Sequence, residues 1–223
     1  MRGLGETFFN ADVIAKYLPS LLAGFRMTLQ LAVAVVTLGI LLGLALAMVR
    51  AFRFRMLNVL IVAFVDLFRT LPQLVVMVFA YFGLPYAGVT ISAFMAATLG
   101  LGLVLAAFAE EAFWAAITAI PRGQWEAARS TGLSFAQTLG SVVMPQAIRI
   151  AIPLLTNRTI AITKGTALAS VISVPEILDK AQSAMSLSAN ASPIIAGAGL
   201  YLAIFAPLVV FSRWLERRFG WII

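Results

Sequence analysis

The chain has 223 residues, with 16 Lys and Arg against 9 Asp and Glu, for a formal net charge of +7. Hydrophobic residues make up 62 % of it and charged residues 11 %, where a soluble domain carries roughly 45–50 % and about 25 %. So few charges cannot cover a water-soluble globule, disorder requires low hydrophobicity, and the mean hydropathy of +1.00 places the chain in a bilayer. The absence of cysteine and histidine removes disulfides, thiolate metal sites and the commonest general base and metal ligand. The basic residues are spread between apolar runs with no basic, aromatic-interleaved face, so nucleic acid is not an expected partner.

A hydrocarbon core of about 30 Å takes about 20 apolar residues to cross. Residues 1–20 read as an extracytoplasmic or interfacial head, whose Tyr17 to Phe25 end is apolar enough to lie along the interface. Met27 to Val49 is an uncharged first span. It is too long for a signal-peptide core, and its basic cluster, Arg50, Arg53 and Arg55, follows it. Met56 to Ala80 is the second span and carries Asp66, Arg69 and Pro72; Ile91 to Ala109 is the third and ends at Glu110 and Glu111. Ala147 to Thr163 is the fourth, broken by Pro153 and carrying Arg149 and Arg158. Ala167 to Leu178, with Pro175, is too short to cross and reads as a broken or re-entrant extension of the fourth helix. Pro193 to Ser212 is the fifth span.

Five spans put Arg50, Arg53, Arg55, Arg122, Arg129, Arg213, Arg217 and Arg218 on one side and Arg2, Lys16, Arg26 and Lys180 on the other. Eight against four marks the first side as cytoplasmic. The expected fold is an all-α membrane protein of about five transmembrane helices, N-terminus outside and C-terminus cytoplasmic. Its parts are the head, a single transmembrane domain over 21–218 and a tail over 219–223.

The long connection over 119–146 carries the strongest signal. Pro121 suits the first turn of a helix, good helix formers follow to Thr131, and Gly132 supplies a left-handed terminator. Ser134 with Gln137 matches a capping box, and Pro145 is expected to stop the second helix before the next span. The loop thus reads as two short helices projecting from the cytoplasmic face. Trp125, Ala127 and Ala128 would give the first a compact, partly apolar surface. That surface suits either a groove on a partner or the lipid headgroups.

Glu126-Ala127-Ala128, three residues, Gly132, nine residues, Val142, then Met144-Pro145 resembles the EAA signature of ABC importer permeases, with conservative departures at Val142 and Met144. Asp66-Leu67-Phe68-Arg69-Thr70-Leu71-Pro72, Pro145-Gln146-Ala147-Ile148-Arg149 and Lys164-Gly165-Thr166-Ala167-Leu168-Ala169-Ser170 are similar to further segments of the polar amino-acid uptake subfamily. The resemblance covers roughly residues 20 to 218. It implies a type I importer permease in a bacterial inner membrane, paired with itself or a sister permease. An ATPase subunit dimer, which holds the ATP and Mg, and an extracytoplasmic solute-binding protein complete the transporter. Gln124, Trp125, Glu126, Ala127, Ala128, Gly132, Leu133 and Ser134 would form the coupling surface against the ATPase. The chain has no Gly-rich loop ending in Gly-Lys-Ser/Thr, so no cofactor and no ATP hydrolysis are expected of it.

Charges inside a bilayer normally face the protein interior or a water-filled path. Asp66 and Arg69 are spaced for an i,i+3 ion pair, with substrate contact the alternative for Asp66. Pro72, beside Arg69, Thr70 and Gln73, frees a backbone carbonyl, as transporters do near binding sites. Arg158, with Asn157 and Gln73, is a candidate contact for a substrate carboxylate, because a guanidinium grips one bidentately. An ion pair with Asp66 or with the partner permease is the alternative. In the family that the chain resembles, carriers of basic substrates often place a carboxylate near this position, so the resemblance implies that an arginine there leans towards acidic or neutral polar amino acids. Adjacent Glu110 and Glu111 point to different faces and read as boundary anchors, and Gly100, Gly102, Ala106 and Ala107 as packing residues. A transporter driven by an ion gradient would also explain the intramembrane charges, but not the EAA spacing.

Overall fold

The computed structural model describes residues 3–219, and residues 220–223 of the expected tail lie outside it. Ten α-helices follow in chain order with no strand among the described residues: α1 Leu4–Phe8, α2 Ala11–Ala51, α3 Arg55–Thr70, α4 Gln73–Val78, α5 Ala93–Ala119, α6 Arg122–Ser130, α7 Phe135–Thr138, α8 Met144–Lys164, α9 Ile177–Ser188 and α10 Ser192–Phe219. Four helical stretches are long and apolar enough to cross a membrane, five if the bent pair after α2 counts as one.

Helix α5 is the post of the bundle. Ser92 caps it by accepting from the Met95 N–H at 3.2 Å, and Ala97, Leu101, Leu105, Ala106 and Ala109 along it are fully buried. Helix α2 meets it through a stripe of small residues, Gly39, Gly43, Ala47 and Ala51, four apart and hence on one face. A Cβ on Gly39 would lie 2.5 Å from Leu105, and one on Gly43 would lie 2.5 Å from Ala109 Cβ and 2.7 Å from the Ala106 carbonyl. Gly102 and Gly100 on α5 receive Leu38 and Met77 in the same way. This is small-residue packing, which lets helix backbones approach where lipid offers no hydrophobic drive.

Several expectations are corrected. Tyr17 to Phe25 does not lie apart from the first span: α2 runs unbroken through it for 41 residues. Leu21 is fully buried there, and Gly24 sits against the Glu176 carbonyl, where a Cβ would come within 2.9 Å. The second span is not straight. Leu71 and Pro72 are both extended (ψ 134°), the conformation proline imposes on its predecessor, and the pieces before and after them meet at 107°. The third helix runs on to Ala119, so Glu110 and Glu111 lie in its interior.

Pro145 and Pro153 do not stop or break the fourth helix. A π turn over Leu139–Val143 precedes Pro145, which occupies the first turn of α8, where a missing N–H is tolerated. One helical run therefore covers Phe135–Ile172, ending in a tighter 3₁₀ turn, Gly165–Ile172, that stops at Ser173 in a left-handed conformation (φ 62°). The Ala167 to Leu178 segment thus divides between that extension and the start of α9.

Helix α9 lies between that extension and the fifth span, in a stretch where the sequence leads to no expected element beyond Leu178. It is held by tertiary contacts: Glu176 caps it by accepting from the Asp179 N–H at 2.9 Å, and Tyr201 of α10 donates to the other carboxylate oxygen. Thr28 of α2 accepts from the Ile177 N–H at 3.2 Å. Burial lifts the Glu176 carboxyl above the usual carboxylate range, against the opposing pull of the Tyr201 hydrogen bond.

Gly43→Val should overpack the α2–α5 seam at a cost of about 1–3 kcal/mol and lower the thermal midpoint of the detergent-purified protein. Gly199→Ala, where an added Cβ meets open space, should leave it unchanged or slightly raised. Equal midpoints for the two variants would contradict the packing account.

Candidate functional site

Two regions carry the site residues. In the connection after α5, helix α6 starts directly after Pro121 and ends at Ser130, and Gly132 turns the chain with φ +89°. The capping box forms in full: the Ser134 N–H donates to Gln137 Oε1 at 2.9 Å, and the Gln137 N–H donates to Ser134 Oγ at 3.3 Å. Trp125 stacks on Phe135 with centroids 5.4 Å apart and planes 23° apart, and Ala128 is buried. The expected contact face is therefore corrected. Trp125 and Ala128 turn inward and close the hairpin, while Glu126, Ala127, Gln124, Gly132 and Ser134 are exposed, with Leu133 half-buried. Gln146 of α8 donates to Gln124 at 3.4 Å and to the Val142 carbonyl at 2.7 Å, tying α6 to the long helix.

The second region is charged and centres on α5. Arg50 at the end of α2 donates to both oxygens of fully buried Glu110, at 2.9 and 3.2 Å, and its guanidinium lies 4.6 Å from the Trp114 ring centre. Arg69 of α3 donates to Glu111 at 2.6 Å. The two adjacent carboxylates thus reach two different helices. The expected Asp66–Arg69 pair does not form, because Arg69 is turned to α5 and Asp66 is exposed. The alternative pair of Asp66 with Arg158 does not form either.

Phe108, one turn before Glu111, has two cations near its ring, Arg69 at 5.4 Å and Arg158 at 4.8 Å. Among the described residues Arg158 forms no ion pair and is exposed. Of the other candidates, Thr70 is exposed and its hydroxyl bonds back to the Asp66 and Leu67 carbonyls at 2.9 and 3.0 Å. Gln73 is half-buried beside Gly165, where an added Cβ would run into its amide oxygen. Asn157 does not accompany Arg158: it points to α10 and donates to Glu216 at 3.0 Å. Sequence reading missed Phe108, Glu216 and the partners of Glu110 and Glu111. The signal available was two consecutive carboxylates in an apolar run, which require two cations from elsewhere in the fold.

A family model, the binding-protein-dependent transport system inner membrane component, matches residues 39–221. The chain belongs to this family. It is 34 % identical over 216 residues to the "Probable amino-acid ABC transporter permease protein YckA" of Bacillus subtilis (strain 168), covering 96 % of each chain. It is 36 % identical over 207 residues to the "Probable glutamine ABC transporter permease protein GlnP" of the same organism, covering 91 % of this chain and 95 % of that one. A solved structure described as "Crystal structure of an amino acid ABC transporter with histidines" superposes with a TM-score of 0.81 at 32 % identity, over 92 % of this chain and 96 % of that one. Family membership makes the chain a membrane-embedded transport component, with ATP hydrolysis belonging to a separate subunit.

The Arg50–Glu110 pair yields a stability prediction. Removing one partner of a buried pair leaves an uncompensated charge, at about 3–5 kcal/mol. Arg50→Met should therefore sharply lower the thermal midpoint in detergent, and adding Glu110→Gln should recover much of the loss. A double variant as unstable as the single one would show that the pair is not what holds α2 to α5 there.

Proposed function

We propose that the chain is the permease subunit of an ATP-driven importer that moves a polar amino acid, acidic or neutral, across a bacterial inner membrane. In this reading its N-terminus is outside and its C-terminus cytoplasmic, and it pairs with a second permease, the same chain or a sister. An ATPase dimer holds ATP and Mg on the cytoplasmic side, and an extracytoplasmic solute-binding protein delivers the amino acid. The described relatives and the matching structure support the amino-acid class. The outward face of α6, with Glu126 and Ala127, takes the movement of the ATPases, and the inward stack of Trp125 on Phe135 passes it to α7 and the long fourth helix. The permease pair then rocks about a midplane site by alternating access.

The observation that carries the substrate reading is Arg158, an intramembrane guanidinium without a carboxylate partner, held at the Phe108 ring beside Arg69. A substrate carboxylate supplies the missing anion. Glu111 already engages Arg69, which leaves Arg158 as the cation for the solute. Gln73 and Thr70, on either side of the 107° bend, are the neutral polar groups of the path. Asn157, bonded to Glu216, orients the helix rather than the solute.

Hydrogen bonds to a charged group contribute about 1.5–3 kcal/mol. Arg158→Ala should therefore cut uptake of the preferred amino acid into ATP-loaded proteoliposomes by roughly 10–100-fold, with Arg158→Lys partly retaining it. Unchanged transport with unchanged ligand preference would sink the assignment.

A further inference from the structure

The turn that closes α2 has features that neither packing nor transport explains. Phe52 and Arg53 donate their N–H groups to the Val49 and Arg50 carbonyls at 3.2 and 3.0 Å, and Arg53 takes a φ of +59°. That left-handed conformation is free for glycine and costly for a residue that carries a Cβ, such as arginine. Around it the apolar side chains face outward: Phe52 is 41 % exposed, Phe54 60 % and Met56 80 %. Exposed rings interleaved with arginines at a helix end are the mark of a turn seated at the lipid interface, rings in the acyl layer and guanidinium at the headgroups.

Arg53 also lines a cavity of about 280 Å³. Arg122, the first residue of α6, lines it too, and Trp114, Trp125, Phe135 and Thr118 stand among its walls. Neither arginine forms an ion pair among the described residues, whereas nearby Arg50 is engaged by Glu110. Phe52 packs edge-on against Phe135 at 5.2 Å, so the exposed rings continue into the cavity wall.

We propose that this cavity binds the phosphate of an anionic phospholipid headgroup between Arg53 and Arg122, and that the lipid bridges the end of α2 to the coupling helix. A phosphodiester accepts bidentately from guanidinium groups, and basic pockets between transmembrane helices on the cytoplasmic side are suited to anionic headgroups. The cavity is slightly smaller than the roughly 300 Å³ at which sites for whole drug-sized ligands begin; it takes a headgroup and leaves the acyl chains outside, along Phe52 and Phe54. A soluble phosphate has no use for that apolar border. Arg122, four residues before Glu126, lies on the same side of α6 as the proposed coupling face; the ATPase is disfavoured as occupant because exposed Phe52 and Phe54, rings suited to acyl chains, border the cavity.

The test uses the assembled transporter, permease with ATPase and binding protein, in nanodiscs of phosphatidylcholine and phosphatidylglycerol. After a detergent wash, phosphatidylglycerol retained per permease is measured by mass spectrometry. Arg53→Gly combined with Arg122→Gln should lower retention by about tenfold or more, and Arg217→Gln, at an exposed arginine of α10, should not. Arg53→Gly relieves the backbone, so its single variant separates loss of the headgroup from loss of fold. Three results would overturn the proposal: unchanged retention in the paired variant, displacement of the lipid by excess inorganic phosphate, or retention confined to permease stripped of its ATPase.

Discussion

The approach of α2 to α5 sets the terms for everything else in this molecule. Gly39 and Gly43 let the two backbones come so close that a single added methyl would meet the opposing chain. Hydrophobic burial does not drive such a contact inside a bilayer, because lipid tails are as apolar as leucine. Close van der Waals fit does, and it requires small residues at a spacing of four. With α2 in place, the Arg50 guanidinium reaches Glu110 and the Trp114 ring. The same helix provides Thr28 and Gly24 as the dock for the start of α9.

Charge placement follows from that geometry. Adjacent carboxylates on a helix point about 100° apart, so Glu110 and Glu111 draw one arginine each from α2 and α3. These pairs neutralise what would otherwise be costly groups in the membrane. Arg158 is left over, beside an aromatic ring instead of a carboxylate. A charge that the fold leaves without its counterion is where a charged solute has most to gain. The bend at Leu71–Pro72 brings a polar break to the same bundle, with Gln73 facing Gly165.

Much of this was legible in the sequence where the signal is local. The hairpin over 119–146 was readable because Gly132, Ser134 and Gln137 act within a few residues of themselves, and the spans were readable from hydropathy. Non-local features were not. The partners of Glu110 and Glu111 lie 60 and 42 residues away, so the carboxylates read as helix-end anchors. Pro145 looked like a stop and Pro153 like a break, but a π turn leads into Pro145 at the first turn of α8, and Pro153 lies inside that helix. Helix α9 is short and mixed in polarity, and its cap, Glu176, is fixed by Tyr201 and Thr28 from other helices. Asn157 and Arg158 are neighbours in sequence and were read as a pair, yet successive helical residues point apart, and Asn157 turns to Glu216.

The central claim is that a rigid hairpin on this chain converts ATP turnover elsewhere into movement of solute. The direct measurement is amino-acid uptake into proteoliposomes holding the assembled transporter, with ATP inside or with an imposed ion gradient and no ATP. Glu126→Lys and Gly132→Arg would be run in parallel. The account predicts uptake that requires ATP and is lost in both variants while the membrane subunits remain folded and assembled in the bilayer. Uptake that follows the ion gradient without ATP would contradict it.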